Sequence, residues 1–379
     1  MKVVRVCTVP LSLVGYTSHL EELVRNGVEL VIITSQDEYF DKLKSSSYKV
    51  IPLTIKRNIS PLHDVVSIFK LILLLRKEKP DIVHSNTPKA GLISALAGLF
   101  SGVAVHLHTF TGQVWANYTG LKRQFFILID RVIIQLNHAA IADSKSQAIF
   151  LEKETNLSNR VKCLGDGSFG GIDISKCITK HTDSEVRQEL GIGKDDFVLL
   201  YLGRVVKDKG IEELLDSYLQ LKEKSESIKL LIVGPIEKSK NKISDIHLKI
   251  LNNTPGVYTV GFTSETQRYY SACDILVLPS YREGFGTVVL EAGAFRKPTV
   301  GSRIYGVSDA IEDEKTGLLC EVGSSVDLTQ KIERCFNDRE FVAQMGEKSF
   351  ARVKAKFDYK VVAKNLVSFY RRCLNEKGL

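Results

Sequence analysis

In the first half of the chain, short runs of aliphatic and β-branched residues alternate with longer stretches whose apolar side chains recur at helical spacing. The runs at 3–9, 28–34, 81–85, 103–109 and 139–142 predict strands. The stretches 17–26, 63–78, 88–100, 121–137 and 145–154 predict helices between them. The second half repeats the theme, with strands predicted at 197–202, 229–233, 257–260, 275–278 and 299–300 and helices again between them. Apolar strands separated by helices of this length read as parallel sheets covered on both faces, since parallel neighbours need a long crossover. The expected fold class is α/β, with a pair of Rossmann-like domains rather than a solenoid, because no repeat of roughly 20–50 residues runs through the chain.

A length of 379 residues agrees with two domains. The pattern breaks at GDGSFGG, residues 165–171, whose small residues suit either a hinge or a plain surface loop. The expected division is therefore 1–168 and 169–357. Near the end, Val361, Val362, Leu366, Phe369 and Tyr370 share one side of a helix over 359–373, and that side needs a surface to pack on.

Composition is that of a globular protein, with 44% hydrophobic and 25% charged residues. The net charge of +8 is unevenly placed: residues 1–165 hold 20 Lys/Arg against 13 Asp/Glu, leaving 32 against 31 for the rest. An excess of seven positive charges in the first part fits anionic headgroups, an anionic acceptor or nucleic acid. Nucleic acid is the disfavoured partner, since the basic residues are not interleaved with regular aromatics and no DNA-binding motif is present. The seven cysteines lack a C-x-x-C pair and read as reduced core residues of a cytoplasmic protein. MKVVRVCTVP has no apolar core of an export signal, and the oily runs 71–75 and 125–136 are too short to span a bilayer.

Candidate chemistry lies in two loops of the second half. PSYREGFGTVVLE, residues 279–291, leaves a buried strand and enters a helix near Gly286, an entrance whose dipole favours an anion such as a diphosphate. Glu283 and Glu291 can point into one crevice, where a carboxylate accepts two hydroxyls of a ribose or a sugar ring. Read alone, the pair is better explained as a helix-start charge and a solvated helix residue, and the second loop reverses that balance. YLGRVVKDKG, residues 201–210, places Gly203, Arg204, Lys209 and Gly210 after another strand. Its guanidinium fork and ammonium point charge suit a diphosphate whose charge grows as it leaves.

The segments G-R-x4-K-G, P-S-x2-E-G-F-G-x4-L-E-A and a later T-G-L-L resemble, in order and spacing, the donor domain of family 4 retaining glycosyltransferases. That resemblance covers most of the second half. It implies the GT-B fold, in which two Rossmann-like domains face each other across a cleft, with a UDP-sugar or GDP-sugar donor and no required metal. UDP is the expected base. The C-terminal helix, about 358–379, is expected to return to the N-terminal acceptor domain. By resemblance, Arg204 and Lys209 hold the diphosphate, Glu291 the ribose and Glu283 the donor sugar. Gly203 and the backbone of Gly284, Phe285, Gly286 and Thr287 assist. YGVSDAI carries Asp309 where the family often has a glutamate.

In the first half, HSNTPKAGLISALAG and HTFTG resemble bacterial enzymes that build lipid-linked oligosaccharides, capsules or O-antigens. The resemblance implies a hexosyl- or N-acetylhexosaminyltransferase acting on an undecaprenyl diphosphate-linked sugar at the inner face of the cytoplasmic membrane. The family's glycine-rich loop after the first strand is reduced here to VPLSLVGYTSH, leaving Gly15 and Thr17 as candidate contacts. His108 lies where relatives place a histidine facing the reacting sugar, and it is equally a core histidine by its residue type alone. Lys122 and Arg123 open an oily helix suited to a bilayer surface or to the core, and Trp115 and Tyr118 precede it. No pair of carboxylates reads as a double-displacement pair and no D-x-D follows an apolar strand. Front-face attack, with the leaving phosphate taking the acceptor's proton, is the implied mechanism. A sugar-nucleotide epimerase and a non-catalytic nucleotide-sugar binder are the competing readings.

Overall fold

The computed structural model describes residues 1–58, 60–177, 183–237 and 241–379. They form two compact units, Met1–Gly171 with Phe357–Leu379, and Ile172–Lys356. The N-terminal unit runs β1 (Lys2–Val6), α1 (Leu11–Val14), α2 (Thr17–Arg25), β2 (Glu29–Thr34), β3 (Lys49–Pro52), α3 (Pro61–Glu78) and β4 (Ile82–Ser85). It continues through α4 (Pro88–Ser101), β5 (Val105–Phe110), α5 (Gly120–Leu136), β6 (Ala139–Ala142), α6 (Lys145–Thr155) and β7 (Val161–Cys163). Its seven strands lie in the order β3-β2-β1-β4-β5-β6-β7, all parallel.

The C-terminal unit runs α7 (Asp183–Leu190), β8 (Phe197–Leu202), α8 (Ile211–Lys224), β9 (Ile228–Val233), α9 (Asp245–Asn253), β10 (Val257–Val260) and α10 (Gln267–Ala272). Then follow β11 (Ile275–Leu278), α11 (Thr287–Ala294), β12 (Thr299–Ser302), α12 (Val307–Ala310), β13 (Gly317–Cys320), α13 (Ser325–Asn337) and α14 (Arg339–Arg352). Six parallel strands take the order β10-β9-β8-β11-β12-β13. In each unit the strand order reverses once, between β1 and β4 and between β8 and β11, and such a switch point opens a crevice at the strands' carboxyl ends.

The last helix, α15 (Tyr359–Asn375), belongs to the N-terminal unit. Asp358 caps it by accepting from the Lys360 N–H. Its buried stripe of Ala363, Leu366, Phe369, Tyr370 and Cys373 joins Leu20 and Leu23 of α2 in one core, so the helix does return to the N-terminal domain. Tyr370 extends this anchorage into the sheet through its hydroxyl, 2.6 Å from His84 Nδ1. The expected hinge segment carries left-handed backbone at Gly165, Gly167, Ser168 and Gly171. A Cβ on Gly171 would lie 2.6 Å from the Phe357 carbonyl, so the two chain passages beside the unit boundary press together there.

Three strands escape the sequence pattern: β3 and β7 are short edge strands, and β13 is a four-residue edge of the second sheet. Short edges lack the continuous apolar run that marks a central parallel strand.

Helix α4 shows why its sequence reads GLISALAG. A Cβ on Gly91 would stand 2.5 Å from the His108 ring and one on Gly98 2.7 Å from the His106 ring, so two glycines one heptad apart let the helix lie against β5. Gly91→Ala gains helix propensity of up to about 1 kcal/mol, but forcing a methyl into an enclosed ring costs about 1–3 kcal/mol. A net loss of stability is expected in urea denaturation; an unchanged or higher midpoint would show that the ring has room to retreat.

Candidate active site

The C-terminal unit's switch point brings both motif loops together. After β8, the Gly203 N–H donates to the Val233 carbonyl at 2.9 Å, and the buried Tyr201 hydroxyl donates to the Arg204 carbonyl at 2.7 Å. Gly210 has φ +71, and a Cβ there would come 2.0 Å from the Pro279 carbonyl oxygen. Only glycine permits this approach, which presses the loop after β8 against the loop after β11. The Tyr281 N–H donates to the Asp208 carbonyl at 3.0 Å, and Arg282 pairs with Asp208 at 3.1 Å.

At the centre of this junction Lys209 Nζ meets Glu283 Oε1 at 2.6 Å, with both side chains mostly buried. Ser280 Oγ donates to the same carboxylate oxygen at 2.9 Å. The S-x2-E spacing inside P-S-x2-E-G carried this second contact as a local signal. Arg204 is half-exposed and held by both oxygens of Glu237 at 3.1 and 3.2 Å. Glu237, 33 residues away, had no signal in the sequence.

Gly286, at φ +85, is the N-cap of α11, so the chain turns into the helix with the dipole's positive end at the junction. The Phe285 side chain is core, and Thr287 opens the helix. Glu291, one turn further on, accepts from the Tyr270 hydroxyl at 2.6 Å. Burial pushes its carboxyl above the ordinary glutamate range, and the Tyr270 bond partly offsets this. Tyr270 is 21 residues upstream on another helix, and nothing local in the sequence pointed to it. Asp309 lies in α12, where its backbone carbonyl accepts from Arg352 at 2.8 Å.

The remaining expected residues belong to the N-terminal unit. Gly15 is the exposed C-cap of α1 and Thr17 the first residue of α2. His108 is only 1% exposed: its Nδ1 is 2.8 Å from Ser85 Oγ, Phe110 meets it edge-on at 4.4 Å, and Gly91 backs its ring. Burial lowers its pKa to about 3, so the ring is neutral. The ring therefore sits enclosed among β4, β5 and α4 rather than on an open face. Lys122 lies over the Tyr118 ring, and Arg123 pairs with Glu154 at 2.6 Å. Helix α5 turns out to be two-faced: Ile127, Asp130, Ile133 and Ile134 are buried while Leu121, Phe125 and Leu128 are exposed. Among the described residues one trio of metal-type donors converges, His138, Cys373 and Glu376, and it lies outside the C-terminal unit's loops.

Residues 182–352 match the Glycosyl transferases group 1 family, and residues 16–164 match Glycosyltransferase Family 4. The capsular polysaccharide biosynthesis glycosyltransferase CapM of Staphylococcus aureus is 30% identical, over 99% of this chain and 98% of its own length. The chain belongs to the family 4 glycosyltransferases. A Campylobacter jejuni member, N,N'-diacetylbacillosaminyl-diphospho-undecaprenol alpha-1,3-N-acetylgalactosaminyltransferase, is 26% identical over 91% of this chain and 92% of its own. In fold, the glycosyltransferase is similar to Anabaena HepE crystallised with UDP and glucose, with TM-score 0.81, 19% identity, and 98% and 100% of the two chains covered. The fold is GT-B, as its pair of parallel-sheet domains requires.

Lys209 and Glu283 hold this glycosyltransferase's two loops together beyond the backbone contacts. A double-mutant cycle with Lys209→Met and Glu283→Gln is expected to give a coupling of about 1 kcal/mol in chemical denaturation, the upper range for a partly screened pair. Additive effects would mean that the backbone approach alone sets the junction.

Proposed function

We propose that this glycosyltransferase moves a hexosyl or N-acetylhexosaminyl group from a UDP-sugar to an undecaprenyl diphosphate-linked sugar, with retention, in bacterial surface polysaccharide synthesis. The observation that carries the donor half is the Lys209–Glu283 contact at a switch point, where a cation and a carboxylate from separate loops meet. HepE, similar in fold, binds UDP, and the relatives named above act in capsule synthesis and on a diphospho-undecaprenol acceptor. These names support the donor and acceptor classes.

In this reading Arg204 and Lys209 bind the diphosphate, Glu291 accepts the ribose hydroxyls and Glu283 orients the donor sugar. The backbone of Gly203 and of Gly284 through Thr287 completes the cradle, and Gly15 and Thr17 are assigned to donor binding as well. Diphosphate binding exchanges Arg204's contact with Glu237 for one with phosphate. As the anomeric C–O bond breaks, the electron pair goes to the β-phosphate oxygen, and both cations stabilise that growing charge. The same phosphate takes the acceptor hydroxyl's proton as the new C–O bond forms on the face the donor leaves. No enzymic nucleophile and no metal ion enters the scheme. His108 acts as a positioning residue, through Ser85 at the end of β4. No helix of the described residues is long and apolar enough to cross a membrane, and the enzyme is assigned to the inner surface of the cytoplasmic membrane through the basic N-terminal unit and the apolar outer face of α5.

Thermal unfolding with UDP, GDP, ADP and their sugars, with and without EDTA, tests the donor site. UDP at 100 times its dissociation constant is expected to add about 2.7 kcal/mol of stability, insensitive to EDTA. No shift with any nucleotide would overturn the assignment, and donor turnover without acceptor would favour the epimerase.

A pH series tests Glu291. Because burial raises its pKa, its hydroxyl-accepting ionised form is lost at higher pH than for an ordinary glutamate. UDP affinity should therefore fall as pH drops through that raised range, and Glu291→Gln should bind weakly and show a flat profile. A flat wild-type profile would remove Glu291 from the ribose.

A further inference from the structure

The N-terminal unit contains a cleft of about 610 Å³ at its own switch point, within the usual range for a small-molecule site. One end is polar. Thr8 after β1 and Thr87 after β4 share a hydrogen bond of 2.7 Å, and Gly112 and Gln113 follow β5. These are the strand carboxyl ends, where open α/β sheets receive ligands. From there the cleft runs between helices: Val65 and Ile68 come from α3, Leu92 and Leu96 from α4, Phe125 and Ile129 from α5. Val65 is 56% exposed and Phe125 50%, so the apolar end opens outward between α3 and α5. The apolar surface continues beyond it along Leu62, Phe69 and Leu73 of α3 and Leu121 and Leu128 of α5, more than water-facing helices ordinarily leave uncovered.

Of the two cations in the lining, one is paired and one is open. Lys89 lines the cleft and is held by Asp64 at 2.7 Å and by the Asn58 carbonyl, whereas Arg57 is exposed and makes no ion pair among the described residues. A guanidinium left open beside an apolar channel suits a ligand with a phosphate head and a hydrocarbon tail.

We propose that this cleft takes the first part of the isoprenoid chain of a polyprenyl diphosphate, with Arg57 and Lys89 facing the diphosphate and the chain leaving between α3 and α5. The proposal rests on the lipid-linked acceptor reading and gives it a place: the acceptor's sugar would lie at the strand ends and its lipid in the helical layer. It also gives the exposed apolar faces of α3 and α5 a single occupant, the chain's exit into lipid.

Trp115, the sole tryptophan, lines the cleft, is 1% exposed and donates to Asp130 at 2.7 Å, so its emission reports occupancy. The full chain is titrated with farnesyl diphosphate, isopentenyl diphosphate and inorganic pyrophosphate. Farnesyl diphosphate is expected to shift Trp115 emission saturably at a concentration at least tenfold below either of the others. Leu96→Phe, which fills the cleft, and Val65→Lys, at its exposed mouth, are each expected to weaken farnesyl diphosphate at least tenfold, leaving the thermal midpoint, pyrophosphate binding and UDP stabilisation unchanged. Silent Trp115 emission, or wild-type farnesyl diphosphate affinity in both variants, overturns the proposal. So does a concentration-dependent dimer that Val65→Lys dissociates, which would make a second copy the occupant. Farnesyl diphosphate binding as expected, without sugar transfer to any polyprenyl-linked acceptor, would leave the cleft standing and remove the acceptor reading; transfer with wild-type kinetics in both variants would do the reverse.

Discussion

The close approach of Gly210 to the Pro279 carbonyl is the constraint on which the C-terminal domain's site depends. Two strands neighbouring in the sheet, β8 and β11, send their loops to opposite faces, and the backbones can meet only where a side chain is missing. Once they meet, Lys209 reaches Glu283, Arg282 reaches Asp208, and Gly286 can turn the chain into α11 with its dipole aimed at the junction. A Lys–Glu pair this enclosed contributes little net stability, because desolvation offsets most of the attraction. Its value is geometric: it holds a cation and an acceptor group in fixed positions within one loop pair.

The N-terminal domain repeats the topology and fills it differently. Its helices approach the sheet where glycines admit histidine rings, and its switch point is lined by two hydrogen-bonded threonines. Charge is instead buried behind the sheet's ends. Arg5 lies against the Phe169 ring, and burial raises the Asp143 carboxyl to about 8 and Asp130, bonded to Trp115, to about 7. Buried carboxyls of this kind cost stability when ionised. The Asp143 backbone carbonyl accepts the Ser168 N–H, in the strained segment next to the unit boundary.

Much of this was legible in the sequence. Central parallel strands are buried on both faces and advertise themselves as continuous apolar runs, as Phe197–Leu202 does. The motif residues of the second half are legible because a loop after a strand and before a helix has one place to go, the carboxyl edge of the sheet. The stripe on the last helix announced that it needed a surface, and α2 supplies it.

What the sequence by itself determined is therefore whatever depends on neighbours a few residues apart: strand and helix periods, the Ser280–Glu283 contact, the glycines that mark turns. Only the tertiary structure decided which distant groups meet. Tyr270 with Glu291, Glu237 with Arg204, Ser85 with His108 and the apolar cleft between α3, α4 and α5 each join elements whose separation along the chain carries no periodic signal. The histidine shows the limit most sharply. Its residue type allows a ligand contact or a core role, and its enclosure depends on Gly91, a residue on another element that lets a helix close over the ring.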